Sequence, residues 1–293
     1  MLSITFLGTS GSIPTIDRSM PAIALKYEKE LFLWDCGECA QRQMMKYKIG
    51  YGSINAIFIT HPHLDHYLGL FGLMETLRLS LPSSKRIKLF AGSELIETMK
   101  ERYEFIETEA LRRGTIYKGY GFTIEAFPVR HCRGAYGFIF REDDKIKFYE
   151  ERAHALGLRG RMFTEIQRKG SIIVNGRRVN LEEVSWIKKG LKVVYSGDTL
   201  PCDSLLEAAR DADLLICEGT FDGSMKKEAE ERMHSTMEDA AMIANKADVK
   251  KLVITHISPR YSDSEELKKL EARVKEIFKN TAYAYDGMKI ELK

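Results

Sequence analysis

Seven consecutive residues, Thr60-His61-Pro62-His63-Leu64-Asp65-His66, place three imidazoles and one carboxylate on a single loop. Protonated, the imidazoles would repel one another; neutral and buried, they would leave lone pairs unsatisfied. A divalent ion such as zinc takes these neutral nitrogen and anionic oxygen donors. One loop rarely closes such a site, and three further residues fit the same role: His131 after FTIEAFPVR, Asp198 after LKVVYSG and His256 after KLVIT. Five imidazoles (His61, His63, His66, His131, His256) and two carboxylates (Asp65, Asp198) exceed one tetrahedral ion and suit two adjacent ions sharing a carboxylate. Two such ions acidify a water and stabilise both the attacking and the leaving oxygen of a displacement at phosphorus. The donor set alone leaves acyl substrates open.

These residues need elements to hold them. Strand-like runs rich in β-branched and aromatic residues fall at about 2–7, 22–28, 31–35, 54–59, 86–91, 122–130, 135–141, 191–196, 213–217, 251–256 and 282–292. Helical periodicity marks about 39–47, 67–80, 93–106, 203–210, 237–246 and 264–278. Strands followed by alternating helices, repeated in each half, predict a layered α/β fold. His61, His131, Asp198 and His256 each follow a strand, at the edge where loops of such folds build sites. Between about 145 and 190 the pattern weakens, and VNGRRVN reads as a hairpin with Asn175-Gly176 at its tip.

At 293 residues and 44% apolar side chains, the chain can bury its own core. No stretch approaches the roughly 20 apolar residues of a membrane-spanning helix, so no membrane association is expected. The start, MLSITFLGTS, lacks a basic leader and reads as a first strand, and five scattered cysteines make a poor disulfide framework; both point to the cytoplasm. The net charge is only +3, but residues 145–192 hold twelve basic against five acidic side chains, +7, leaving −4 for the rest. One basic segment on a nearly neutral chain predicts local contact with a polyanion.

Together with the histidine loop, His131, Asp198 and His256, several stretches narrow the reading: LGTSGSIPT, Asp35-Cys36-Gly37-Glu38 followed by Gln41, YSGDT around Asp198, His234-Ser235-Thr236, and HISPRY at 256–261. The pattern resembles the metallo-β-lactamase superfamily and, within it, the ribonuclease Z family of tRNA 3′-processing endonucleases, over nearly the whole chain. The resemblance implies an αββα sandwich over 1–293 in the short, homodimeric form. It implies removal of the 3′ trailer of precursor tRNA on the 3′ side of the discriminator nucleotide, leaving a 3′-hydroxyl. It also implies a protruding arm that grips the tRNA, inserted at about 148–188 where the basic segment lies. Two zinc ions per subunit are implied, one on His61, His63 and His131, the other on Asp65, His66 and His256, with Asp198 between them. Asp65 would double as general base, and His234 would protonate the leaving 3′-oxygen with Glu218 orienting it.

The family usually has Gly-Pro in the arm; here Gly160 is followed by Arg161, which shifts the expected RNA contacts to Arg159, Arg161, Arg168 and Lys169. Arg260 is a candidate for binding a phosphate, against an ordinary surface role. Asp35 follows a strand, where a carboxylate commonly caps a turn; the resemblance makes it a partner of a ligating histidine. Cys36-x-x-Cys39 invites a redox or zinc-knuckle reading, but no second pair completes a tetrahedral set. The apolar face with Leu68, Phe71, Leu77 and Leu81 is expected to be core or dimer surface. The alternative function is another phosphodiesterase or hydrolase of the same fold with a small substrate, which would need no basic arm; a non-catalytic RNA-binding module would have lost donors that are all present here.

Overall fold

The computed structural model describes residues 1–80, 82 and 85–293. In chain order, β1 (Leu2–Gly8), β2 (Ala22–Tyr27) and β3 (Glu30–Trp34) precede α1 (Ala40–Lys46). There follow β4 (Ile54–Phe58), α2 (Leu64–Tyr67), α3 (Gly69–Ser80), β5 (Ile87–Ala91), α4 (Ser93–Arg102), β6 (Ile106–Ala110), β7 (Gly114–Gly119), β8 (Phe122–Pro128) and β9 (Tyr136–Glu142). The next stretch holds β10 (Lys145–Phe148), α5 (Glu150–Ala155), α6 (Met162–Lys169), β11 (Ser171–Val174), β12 (Arg177–Asn180), α7 (Leu181–Val184) and β13 (Ser185–Lys188). The chain closes with β14 (Lys192–Tyr195), α8 (Asp203–Ala209), β15 (Leu214–Glu218), α9 (Lys226–Glu231), α10 (Met237–Lys246), β16 (Leu252–Thr255), α11 (Ser264–Ile277), β17 (Thr281–Tyr283) and β18 (Lys289–Leu292).

Two compact units emerge. The first comprises 1–141 and 192–293, the second 142–191. Within the first, seven strands in the order β18-β1-β2-β3-β4-β5-β6 form one mixed sheet, and β17-β16-β15-β14-β9-β8-β7 form the other. Strands β3 to β6 run parallel, as do β14 to β17, so each sheet has a parallel half whose strand ends point one way. The sheets meet through aromatic rings: Trp34 stacks on Tyr195 with centroids 5.8 Å apart, and Phe32 meets Tyr117 edge-on at 5.2 Å. Outside one sheet, α1, α3 and α4 cover a core that includes Met44, Leu73 and Met99; outside the other, α8, α10 and α11 cover Leu205, Ala241 and Val274. This is an αββα arrangement, with helices on the outer faces of two sheets packed against each other.

In the second unit, β10 pairs with β13 and β11 with β12. Asn175 and Gly176, at φ 50° and 77°, make the hairpin tip that the Asn-Gly pair predicts. Ala153, Leu158, Ile166, Val179 and Val184 are buried in a small core of its own. The range that reads as weakly patterned thus contains regular helices too short to show periodicity.

Three expectations need correction. The run 282–292 is two strands in different sheets: β17 pairs parallel with β16, and β18 pairs antiparallel with β1. The helix expected over 93–106 ends at Arg102, because Tyr103 turns extended and leads into β6. The helix after the histidine loop begins at Leu64, one turn before Tyr67, so Asp65 and His66 already lie on it. Leu77 is buried in the core; Leu81 lies outside the described residues. Cys36 is buried and Cys39 exposed, so the two thiols do not form a pair. Among the described residues, no helix is long and apolar enough to cross a membrane.

Candidate metal centre

The site is built at the ends of strands from both sheets, most of them in the parallel halves. His61 follows β4, and α2 carries Asp65 and His66. His131 follows β8, Asp198 follows β14, Glu218 ends β15 and His256 follows β16. Asp35 after β3 and His256 both sit in the left-handed region, at φ 58° and 57°, an uncommon conformation for residues other than glycine. Gly197, at φ 59°, lets the Asp198 loop approach the opposite sheet: a Cβ there would lie 2.9 Å from the Thr60 side chain. The His234-Ser235-Thr236 stretch is fixed by a capping box at the start of α10, in which Asp239 N–H donates to Thr236 Oγ1 at 3.0 Å.

The donors converge. His61, His63, His131 and Asp198 present ligand atoms within 4.8 Å of one another; so do Asp65, His66 and His256, and so do Asp198, His234 and His256. His63 Nδ1 lies 3.0 Å from both His61 Nε2 and His131 Nε2. Asp198 Oδ2 stands between the groups, 3.6 Å from His61 Nε2, 3.8 Å from His131 Nε2, 3.2 Å from His66 Nε2 and 3.3 Å from His256 Nε2. Asp65 Oδ2 is 3.6 Å from Nε2 of both His66 and His256.

Hydrogen bonding behind the rings dictates which nitrogen faces inward. His131 Nδ1 meets the Met233 carbonyl at 2.8 Å, and a carbonyl only accepts, so Nδ1 carries the proton. His66 Nδ1 donates to Asp35 Oδ2 at 2.8 Å. The Thr60 hydroxyl donates its one proton to Asp35, leaving it an acceptor for His61 Nδ1–H at 3.0 Å. The Thr220 hydroxyl likewise donates to Glu218 Oε2 at 2.7 Å and accepts from His256 Nδ1–H at 2.8 Å. Each Nε2 lone pair is therefore turned toward the centre. There, the buried atoms His66 Nε2, His256 Nε2 and Asp198 Oδ1 have no hydrogen-bond partner. Inward lone pairs and carboxylates without donors fit divalent cations, and N/O donors of this kind fit zinc.

Electrostatics points the same way. Burial, then the neighbouring His66, pushes His61 well below the ordinary imidazole range, which keeps its lone pair available. Burial opposes charge on His66, but the Asp198 and Asp35 carboxylates outweigh it and raise that group well above the ordinary range. Burial also opposes charge on Asp198, yet His256 and His66 hold it well below the carboxylate range. The centre thus favours positive charge among anionic oxygens. His234 lies beside it, its Nδ1 2.9 Å from Glu218 Oε1; against burial, Glu218 raises it to about 9.

Sequence reasoning missed Thr220, Tyr195, the Met233 carbonyl and the Ser12 amide. Tyr195 donates to Asp35 Oδ2 at 2.8 Å, and Ser12 N–H donates to Asp65 Oδ2 at 3.2 Å. They come from distant parts of the chain, and only their position after or beside a strand end could have pointed to them. Asp35 is the buried partner of a site histidine that the resemblance implied. The Arg260 guanidinium is engaged by Glu228 at 3.3 Å and lies over the Phe221 ring at 4.9 Å. Arg159, Arg161, Arg168 and Lys169 belong to the second unit. There Arg159 turns back onto the carbonyls of His154 and Leu158, Arg161 directly precedes α6 without a capping bond from its side chain, and Lys169 pairs with Glu165 at 2.6 Å, with Arg168 beside it in the last turn of α6.

Residues 2–154 match the family model described as anti-Pycsar protein Apyc1, and residues 155–257 match that of a beta-lactamase superfamily domain. A ribonuclease Z of Methanosarcina acetivorans is 40% identical over 305 residues, covering 100% of this chain and 98% of its own. A ribonuclease Z of Archaeoglobus fulgidus is 39% identical, with coverage of 100% and 98%. Among solved structures, the short form of human tRNase Z superposes with a TM-score of 0.70 at 26% identity, covering 99% of each chain.

Proposed function

The chain belongs to the ribonuclease Z family of the metallo-β-lactamase superfamily, and on that premise we propose how its own residues process the 3′ end of precursor tRNA. The Apyc1 match ends at residue 154, before Asp198, His234 and His256, whereas the ribonuclease Z likeness runs the whole length. The observation that carries the reading is the convergence of four imidazole nitrogens within 3.8 Å of Asp198 Oδ2, each turned inward by a donor bond behind it.

His61, His63 and His131 would hold one zinc ion and Asp65, His66 and His256 the other, with Asp198 shared. When bound, the pair supplies an acidified water and charge stabilisation at the scissile phosphate. Asp65, fixed by the Ser12 amide, accepts the proton of the attacking water as general base. Glu218 fixes His234 Nδ1–H, so its other nitrogen delivers a proton to the leaving 3′-oxygen of the discriminator nucleotide. The product is a tRNA with a free 3′-hydroxyl. Asp35, joined to Thr60, His66 and Tyr195, positions the ligands and does not touch substrate.

The excess positive charge of 145–192 supports the second unit, including the stretch 148–188, as an arm that holds tRNA through Arg159, Arg161, Arg168 and Lys169. Arg260 would take a backbone phosphate while anchored on Phe221. The enzyme works as a homodimer in the cytoplasm, on the family pattern. The test is cleavage of a 5′-labelled precursor tRNA with and without a chelator and zinc restoration, mapping the product end. One metal-dependent cut beside the discriminator base is expected; no cut, with turnover of a small phosphodiester, would replace this reading by a small-substrate hydrolase.

A further inference from the structure

A cleft of about 570 Å³ opens beside His61, over the ends of β4, β5 and β6. That volume lies within the roughly 300–1,000 Å³ typical of sites for small organic groups. Ile59, Ala91 and Leu95 make a buried apolar floor, Arg133 stands on the β8–β9 connection and Tyr136 begins β9. Arg133 is exposed, and among the described residues no carboxylate or carbonyl engages its guanidinium. Other arginines of this unit, such as Arg78, Arg141 and Arg210, are each paired with a glutamate. An apolar slot, an aromatic side and an unpaired guanidinium next to a phosphodiester-cleaving centre have the chemistry of a nucleotide site: a π-face to pack the base and a fork for a phosphate. Glu94 also lines the cleft; it would repel a phosphate but accepts the amine protons of a base.

Resting on the ribonuclease reading above, we propose that this cleft receives the first nucleotide of the 3′ trailer. The side of the cut follows from His234. Its ring packs against those of His131 and His256, whereas the His61 ring touches those of His63, His66 and His131. His234 serves the departing 3′-oxygen, which belongs to the tRNA body, so the His61 flank is left to the trailer. Its base packs between the apolar floor and Tyr136, and its 3′-phosphate meets Arg133. Packing and a phosphate contact carry little base identity, so any sequence preference is confined to what Glu94 adds for a base with an amine, and a trailer without its first base is held less well.

The test compares precursor tRNAs whose first trailer nucleotide is intact or abasic, cleaved by the zinc-loaded wild type, by Arg133→Ala and by Leu111→Trp, which fills the cleft. In the wild type the abasic substrate is expected to lose about tenfold in kcat/KM, the scale of one base stacked on an aromatic ring. Arg133→Ala loses several-fold on both substrates. Leu111→Trp cuts the intact substrate about tenfold less well and no longer distinguishes the abasic one, while keeping its metal content and circular dichroism. Equal rates on the two substrates in the wild type, or an undiminished abasic penalty in a folded Leu111→Trp, overturns the subsite and leaves the ribonuclease reading standing. Failure of the wild type to cut the intact precursor overturns both.

Discussion

Gly11 offers the sharpest probe of how the LGTSGSIPT stretch serves the metal centre. A Cβ built at this position would lie 2.8 Å from His256 Nδ1 and 2.9 Å from its Cε1, where ordinary contact begins at 3.4 Å. Because the Cβ would also lie 2.8 Å from the His256 carbonyl oxygen, in Gly11→Ala either His256, backbone included, or the loop must move by about 0.6 Å. The loop has little freedom: Gly11 N–H donates to the Ile257 carbonyl and Ile257 N–H to that of Thr9, both at 3.0 Å. Ser12 N–H is bonded to Asp65. Whichever side yields, a ligand of the same proposed zinc, His256 directly or Asp65 through Ser12, is disturbed by more than the ±0.2 Å tolerance of a metal site. Changes behind metal ligands typically cost about 10- to 100-fold in metal affinity or activity. Gly11→Ala should therefore lose about that much in kcat/KM on precursor tRNA, and the metal count per chain should fall from two toward one after dialysis against a weak chelator. The circular dichroism should not change, because Gly11 is not held at a positive φ. Full activity with two tightly held ions would show that the stretch does not support this centre.

His234→Ala should lower kcat by about 10²- to 10⁴-fold without loss of metal; loss of an ion would instead make His234 a ligand, as its grouping with Asp198 and His256 allows. Deleting 150–186 should reduce cleavage of precursor tRNA far more than turnover of a small phosphodiester, and equal loss on both would refute a tRNA-holding arm. Stripping both metals should lower the melting temperature by roughly 15–30 °C, since ions present at about 1,000 times their Kd contribute about 4 kcal/mol per site, about 8 kcal/mol for two, and 1 kcal/mol shifts a domain of this size by about 2–4 °C; an unchanged melting curve would show that no ion binds the folded chain. At pH 8 an alkylating reagent should label exposed Cys39 in the native protein, while Cys36 and Cys217, whose thiols burial pushes far up, should react only after unfolding.

The donor list was legible because metal chemistry restricts residue types: few structural roles call for three histidines and an aspartate within six positions. The start of helix α10 was legible because Thr236 and Asp239 form its capping box. Strands β6 and β7 were not, since IETEA and GTIYKG carry exposed charges or polar groups at the outer edges of their sheets, where one side of the ladder meets solvent and alternation is weak. The division of 282–292 was hidden because it depends on which distant strand each half pairs with. Asp286 shows the cause: in the turn between them it accepts from Thr9 Oγ1, Ser19 N–H and Gln43 Nε2, tying the chain's end to its beginning. No local window contains that information.

The two carboxylates behind the centre, Asp35 and Glu218, share one physical task, and the groups that satisfy them are mostly those that sequence did not supply. Asp35 is wholly buried, yet its charge is met by Thr60 N–H, the Thr60 and Tyr195 hydroxyls and His66 Nδ1–H. Thr60 follows a strand of one sheet and Tyr195 ends a strand of the other, so this carboxylate joins the two halves of the sandwich where the ligands meet. Glu218 is satisfied within the second half alone, accepting from Thr199 N–H, Thr220 and His234. With both carboxylates satisfied from behind, the imidazoles have no freedom to turn their protons inward. The sandwich is thereby committed to a cluster of lone pairs at its rim, an arrangement that a buried polar core would not tolerate without cations. Fixing donors before the ions arrive keeps them in place while substrate binds, and on the assignment proposed above it leaves the outer histidine, His234, tied to Glu218 for proton transfer.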